Sequence, residues 1–167
     1  PLPLGVEALR EPLDIRLNDD SYPDERVIEQ LNSVMVPGME FLEIKAPQFK
    51  ATEIFSADYT VEIPDVDDPR ALAKRIAEVV EAGNITYEKK VKKGGFKTIN
   101  ASEHLKDFKY DYTGDAVKLS FNLPAGNDFT INPVSFCNAL FDRLGEGGIL
   151  HRITRRRILM KDGTEFR

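Results

Sequence analysis

Residues 117–145 read VKLSFNLPAGNDFTINPVSFCNALFDRLG, a strand pattern followed by a capped helix pattern. Val117, Leu119, Phe121 and Leu123 alternate with Lys118, Ser120 and Asn122. A period of two sends successive side chains to opposite faces, so a strand with one buried and one solvated face is predicted. Asn132-Pro133 then offers a helix cap followed by a proline whose fixed φ suits a first turn. Phe136, Cys137, Leu140, Phe141 and Leu144 recur at helical spacing, and Gly145 stands where a left-handed terminator is wanted.

The same order recurs upstream. Tyr59, Val61 and Ile63 alternate with Thr60 and Glu62. Asp68-Pro69 opens a helix with Leu72, Ile76, Val79 and Val80 on its apolar face and Gly83 at its end. Ile85, Tyr87 and Val91, then Lys97 to Ala101, form two extended runs about Gly94-Gly95, which suits a tight hairpin. Leu150 to Met160 form the last strand. Ile153 and Ile158 are an odd number of positions apart and cannot share a face of an unbroken strand, so a bulge is expected near Arg155-Arg156. With one extended run counted as a hairpin arm, the order from Tyr59 onward is the βαββαβ of a ferredoxin-like sheet.

The earlier chain reads as half of such a unit. Leu13, Ile15 and Leu17 alternate with Asp14 and Arg16. A helix follows Ser21-Tyr22-Pro23, with Val27, Ile28, Leu31, Val34 and Met35 on one stripe, and Pro37-Gly38 stops it before the short apolar run Phe41 to Ile44. The expected architecture is therefore α+β: ferredoxin-like units, one complete and one half, with antiparallel sheets covered by helices. Residues 1–53 form the half-unit (strand-helix-strand) and residues 54–167 the complete unit with a Lys-rich hairpin. A half-unit leaves a strand edge and a helix face bare, so it should dock on the second unit, on upstream residues or on another copy. The chain opens Pro1-Leu2-Pro3 with no initiator Met, and residues upstream are expected.

Composition narrows the function classes. With 41% hydrophobic and 31% charged residues the chain is an ordinary globular protein rather than a disordered one. Its one cysteine, Cys137, excludes an internal disulfide framework and a Cys-rich metal site. No apolar run approaches the ~18 residues of a membrane helix and nothing resembles a signal peptide, so a cytoplasmic protein with no membrane partner is expected. The net charge of −5 is unevenly spread. Residues 1–70 carry 6 basic and 16 acidic residues, whereas residues 71–167 carry 17 and 12, so a polyanion would meet the second part.

Leu2-Pro3-Leu4-Gly5-Val6-Glu7, followed by Glu11-Pro12-Leu13-Asp14-Ile15, resembles the radical-SAM-linked protein family of bacteria. Lys92-Lys93-Gly94-Gly95-Phe96-Lys97 and Ile99-Asn100-Ala101 are similar to that family's Lys-rich turn and the segment after it. The resemblance spans nearly the whole chain, and the LPLG block is its distinctive part. It implies a domain without assigned activity that occurs beside, or fused to, radical SAM proteins, normally behind a longer N-terminal portion. A radical SAM protein is thus the implied partner. It does not imply a cluster here, because one cysteine cannot supply the ligands, and no cofactor is expected.

Two basic clusters are the candidate contact residues. Lys89, Lys90, Lys92, Lys93 and Lys97 lie on the hairpin, and Arg152, Arg155, Arg156 and Arg157 on the last strand. Ammonium and guanidinium groups together can neutralise and grip phosphates, though lysines on strands also keep sheet edges from pairing. Successive arginines point to both faces of a strand, so some must meet a carboxylate, a partner or a polyanion. Tyr110 and Tyr112 sit near the lysines without forming an RNA-stacking pair on a central strand. The Gly145-Glu146-Gly147-Gly148 loop, with His104 or His151 as general base, suggests a ferredoxin-like RNA-processing nuclease, although such a loop also serves as a plain helix-to-strand turn. Cys137 belongs in a core, and Asp65, Asp67 and Asp68 suit a helix cap and dipole. The function expected from these features is a non-catalytic recognition or adaptor module associated with a radical SAM enzyme, binding RNA or a protein substrate through the basic second half. The alternatives are the histidine nuclease and an assembly module that self-associates through sheet edges.

Overall fold

The alternation at residues 117–123 becomes a strand near the middle of a five-stranded sheet. The computed structural model describes residues 2–18, 21–91 and 94–166. In chain order the strands are β1 (Val6–Ala8), β2 (Ile54–Ile63), β3 (Thr86–Lys90), β4 (Phe96–Asn100), β5 (Lys106–Thr113), β6 (Ala116–Pro124) and β7 (Arg152–Met160). The helices are α1 (Asp24–Ser33), α2 (Pro69–Ala82) and α3 (Pro133–Leu144). The large sheet runs β1-β7-β2-β6-β5, and β3 and β4 form a separate two-stranded sheet. Pro1–Glu11 and Ala51–Arg167 make one compact unit and Pro12–Lys50 a second.

The two helices of the larger unit follow their sequence signals. Asp68 accepts a hydrogen bond from Ala71 N at 2.9 Å, and Asn132 from Val134 N at 2.9 Å, each satisfying a backbone donor of a first turn. Gly83 and Gly145 end α2 and α3 in the left-handed region at φ +69° and +74°. Leu72, Ala73 and Ile76 of α2 and Phe136, Cys137, Leu140 and Phe141 of α3 are buried. They pack on Tyr59, Val61 and Ile63 of β2 and Val117, Leu119, Phe121 and Leu123 of β6, the inward set that the alternation predicts. The rings of Phe121 and Phe136 meet edge-on at 4.9 Å.

The expected bulge in β7 forms. Asp58 stands opposite Arg157 and Tyr59 opposite Arg155, leaving Arg156 with no residue facing it on β2. The phase change lets both Ile153 and Ile158 be buried.

Several expectations are corrected. The large sheet is mixed rather than antiparallel, because β1 pairs parallel with β7 through Val6, Glu7 and Ala8 opposite Ile153, Thr154 and Arg155. The lysine-bearing runs do not enter it. They pair only with each other, and the edge position is taken by β5, whose alternating Phe108, Tyr110 and Tyr112 are the signal that marks it.

In the smaller unit neither Leu13 to Leu17 nor Phe41 to Ile44 forms a strand. Alternation makes a strand only where another strand accepts its hydrogen bonds, and Leu13, Ile15 and Leu17 are 65%, 46% and 44% exposed. Phe41 instead has its backbone bracketed by one side chain: it donates to Asn32 Oδ1 at 2.7 Å and accepts from Asn32 Nδ2 at 3.0 Å. Helix α1 starts after Pro23 as expected and stops at Ser33, four residues before Pro37, with no fully buried side chain.

Candidate functional site

The hairpin is anchored at its base and bare further out. Ile85 and Ile99 are buried, Ala101 N donates to Ile85 O at 2.8 Å, and Ile85 N donates to Ser102 Oγ at 2.9 Å. Toward the tip, Lys89 faces Lys97 and Lys90 faces Phe96. Lys90 and Lys97 are exposed, and Phe96 is 71% exposed. Like charges directly opposite each other destabilise a ladder by a few tenths of a kcal/mol. The nearby Glu88 accepts a hydrogen bond from Thr98 Oγ1 at 2.6 Å. Lys89 Nζ donates to Thr130 O at 3.2 Å, ahead of α3. Among the described residues neither Lys90 nor Lys97 has a carboxylate partner. Lys92 and Lys93 lie outside the described residues.

Tyr110 and Tyr112, the aromatics expected near the lysines, stand on β5 in the other sheet. Phe96 is the better placed ring, and the signal for it was its position within the Lys-rich turn itself.

The arginines have different fates. Arg155 points to the helix side beside Tyr59, is 5% exposed, and holds Glu11 through a two-pronged ion pair in which Nε donates at 2.6 Å and Nη2 to the second carboxylate oxygen. Burial raises the Tyr59 phenol above its ordinary value, and the Arg155 charge offsets only part of that rise. Arg157 points to the opposite face and donates to Asp58 Oδ2 at 2.5 and 3.0 Å. Asp58 Oδ1 in turn accepts from Asn122 Nδ2 at 2.8 Å, and the same amide donates to Ser56 Oγ at 3.1 Å. Arg152 lies 3.5 Å from Glu7. Only Arg156, exposed at the bulge, has no carboxylate partner among the described residues. Lysines and arginines therefore do not form one surface: the hairpin packs along α3, whereas Arg152 and Arg157 lie on the sheet face away from the helices.

Each histidine packs against a phenylalanine ring at a steep angle. His104 lies 4.6 Å from the Phe129 centroid, and His151 lies 4.8 Å from that of Phe141 with Nδ1 2.8 Å from Ile149 O. The glycine-rich loop is stitched into the fold. Gly145 N and Glu146 N donate to Asp142 O and Phe141 O, and Arg75 of α2 donates to Glu146 Oε1 at 2.9 Å and to Leu144 O at 2.7 Å. Cys137 is buried, which pushes its thiol far above the ordinary value.

Among the described residues an open cleft of about 560 Å³ lies between β3 and α3, and another of about 440 Å³ between β5 and α2. Among the described residues no three His, Cys, Asp or Glu side chains converge in a way that could hold a metal, and no helix is long and apolar enough to cross a membrane.

Residues 1–133 match the model of a family described as an uncharacterized protein conserved in bacteria, DUF2344. No curated protein and no solved structure matches the chain. The matched span holds the Leu2 to Glu7 block, the whole larger sheet except β7, and the lysine hairpin, and the family description carries no link to a radical SAM enzyme. With a match across most of its length, the chain belongs to the bacterial DUF2344 family.

Proposed function

We propose that this chain is a non-catalytic recognition module that holds single-stranded RNA on its β3–β4 hairpin and works alongside a radical SAM enzyme. The observation that carries the reading is the outer half of the hairpin, where the exposed Phe96 ring lies opposite Lys90, next to the Lys89–Lys97 pair. Ammonium groups neutralise phosphates, and an exposed ring offers a stacking surface that every base can use. The arginine strand is a weaker candidate, since Arg152, Arg155 and Arg157 already face carboxylates. The radical SAM partner rests on the resemblance of the Leu2 to Glu7 block and Lys-rich turn. We further read β2-α2-β5-β6-α3-β7, with spatial order β7-β2-β6-β5, as a ferredoxin-like unit carrying the hairpin as an insertion between α2 and β5.

The test is fluorescence anisotropy with a labelled single-stranded RNA across a salt series. Log affinity should fall with log salt at a slope of about −0.7 per phosphate contact. Replacing Lys89, Lys90, Lys92, Lys93 and Lys97 together by Ala should flatten that slope. Phe96→Ala should cost about 1–3 kcal/mol and leave the slope alone, as expected for lost stacking. Arg156→Ala, on a different element, should change little. Salt-insensitive binding, or binding untouched by the hairpin variants, overturns the RNA reading. Affinity purification of the full-length protein from its native cells, with no radical SAM protein recovered, overturns the partner.

A further inference from the structure

Strand β5 is the long edge of the large sheet. Its inner side pairs with β6, and among the described residues no strand pairs with its outer side. Thr113 and Ala116 flank a two-residue turn and face each other, so Thr113, Asp111 and Lys109 direct their backbone groups toward β6. Tyr112 and Tyr110 therefore direct theirs outward. An independent contact agrees: Tyr112 N donates to the side chain of its neighbour, Asp111 Oδ1, at 2.8 Å, as an N–H does when no strand carbonyl is in front of it.

The side chains of this edge have an internal symmetry. Reading outward from Tyr110 in both directions, Lys109 mirrors Asp111 and Phe108 mirrors Tyr112. Lys109 and Asp111 stand opposite Ser120 and Lys118 on the polar face of the sheet, and Tyr110 and Tyr112 stand opposite the buried Leu119 and Val117 on the helix side. Tyr110 and Tyr112 are nonetheless 47% and 43% exposed.

We infer that β5 is a homodimerisation edge, on which a second copy pairs antiparallel about a two-fold axis through Tyr110. In that register Tyr110 faces its own mate. Lys109 of each copy faces Asp111 of the other, and Phe108 faces Tyr112. Each isologous element is complementary: two cross-strand ion pairs on one face, aromatic pairs on the other, and backbone hydrogen bonds between the outward groups of Tyr110 and its neighbours. A lysine on an edge strand ordinarily blocks pairing. Here the two-fold sets an aspartate against it, so the same residue accepts this partner while still repelling a strand that lacks the aspartate. Asp111 releases Tyr112 N to a strand carbonyl and turns to Lys109 of the mate. At the other end the bulge after Lys106, with Asp107 at φ +51°, ends the register.

Strands β1 and β3 fit a second copy less well. Strand β1 is three residues long, and on β3 a two-fold centred on Glu88 would oppose glutamate to glutamate.

Sedimentation of the full chain up to about 0.2 mM tests the inference, a concentration at which even a contact with a Kd near 0.1 mM is populated. Wild type should dimerise. Lys109→Asp sets Asp against Asp and Asp111→Lys sets Lys against Lys, so each alone should weaken dimerisation by about tenfold or more. Mixing the two should restore it as a heterodimer, since every Asp then meets a Lys. Thermal melts confirm that each variant is folded. Should Asp111→Lys unfold through repulsion by Lys118, which it faces on β6, Tyr110→Lys replaces it as the second disrupting change. A monomeric wild type, or a dimer indifferent to Lys109→Asp, overturns the inference.

Discussion

Removing the carboxylate of Glu11 should destabilise the larger unit far more than its place near the start of the chain suggests. Arg155 is 5% exposed and its guanidinium is held by both oxygens of Glu11, whose side chain is 33% exposed. Deleting one partner of a buried pair leaves an uncompensated charge and costs about 3–5 kcal/mol. The partial exposure of Glu11 lets water reach the vacated position, so Glu11→Gln should fall at or below the low end of that range, about 2–3 kcal/mol. At about 2–4 °C of Tm per kcal/mol for a chain of this size, the melt should drop by roughly 5–10 °C. Urea titration should show a lower midpoint at an unchanged slope. Replacing both charges, Glu11→Gln with Arg155→Met, should recover most of the loss, because the isolated charge and not the lost attraction is the main cost. Strand β1 should also loosen. Leu9 N donates to Arg155 O at 3.2 Å just past the β1–β7 ladder, so amide exchange at Val6 to Leu9 should quicken in Glu11→Gln. A single change costing under about 0.5 kcal/mol, or a double change as costly as the two singles together, would refute this reasoning.

Two further outcomes follow from named contacts. Tyr59 is an acid whose folded pKa is raised above its ordinary 10.0, mainly by burial, so the folded state binds that proton more tightly. The stability this contributes is whole below about pH 10 and is lost as pH rises through the raised value; urea unfolding on either side of pH 10 should show that decline, and Tyr59→Phe should lessen it. At Gly126 a Cβ would stand 2.8 Å from Ile54 O, a backbone atom that cannot swing aside, so Gly126→Ala should cost about 1–3 kcal/mol. Gly147→Ala, whose Cβ would meet only the side-chain Oδ1 of Asp142 at 3.1 Å, should melt close to wild type; equal melts for both variants would contradict the packing argument.

What the sequence determined by itself was the set of features whose causes are local. A cap, an early proline and a glycine terminator act within a turn of the chain, so α2 and α3 were legible with their buried faces. Period-two alternation made β2 and β6 legible, and the phase conflict between Ile153 and Ile158 made the bulge in β7 legible before any partner was known. The hairpin about Gly94-Gly95 was legible too.

Pairing between distant residues, by contrast, could not be read along the chain. Leu13, Ile15 and Leu17 alternate as well as β2 does, yet make no strand, because no neighbouring strand takes up their backbone groups. Val6 to Ala8 shows no such pattern and is a strand, because β7 lies beside it. The arginines were indistinguishable as a run of charge. Glu7, Glu11 and Asp58, each about a hundred residues or more away, separate three of them from Arg156. The lysines kept their local character, and Phe96 gained its meaning only when the ladder set it opposite Lys90. Local backbone preference is written along the chain, whereas a partner for a charge or a strand edge exists only once the chain has folded back on itself.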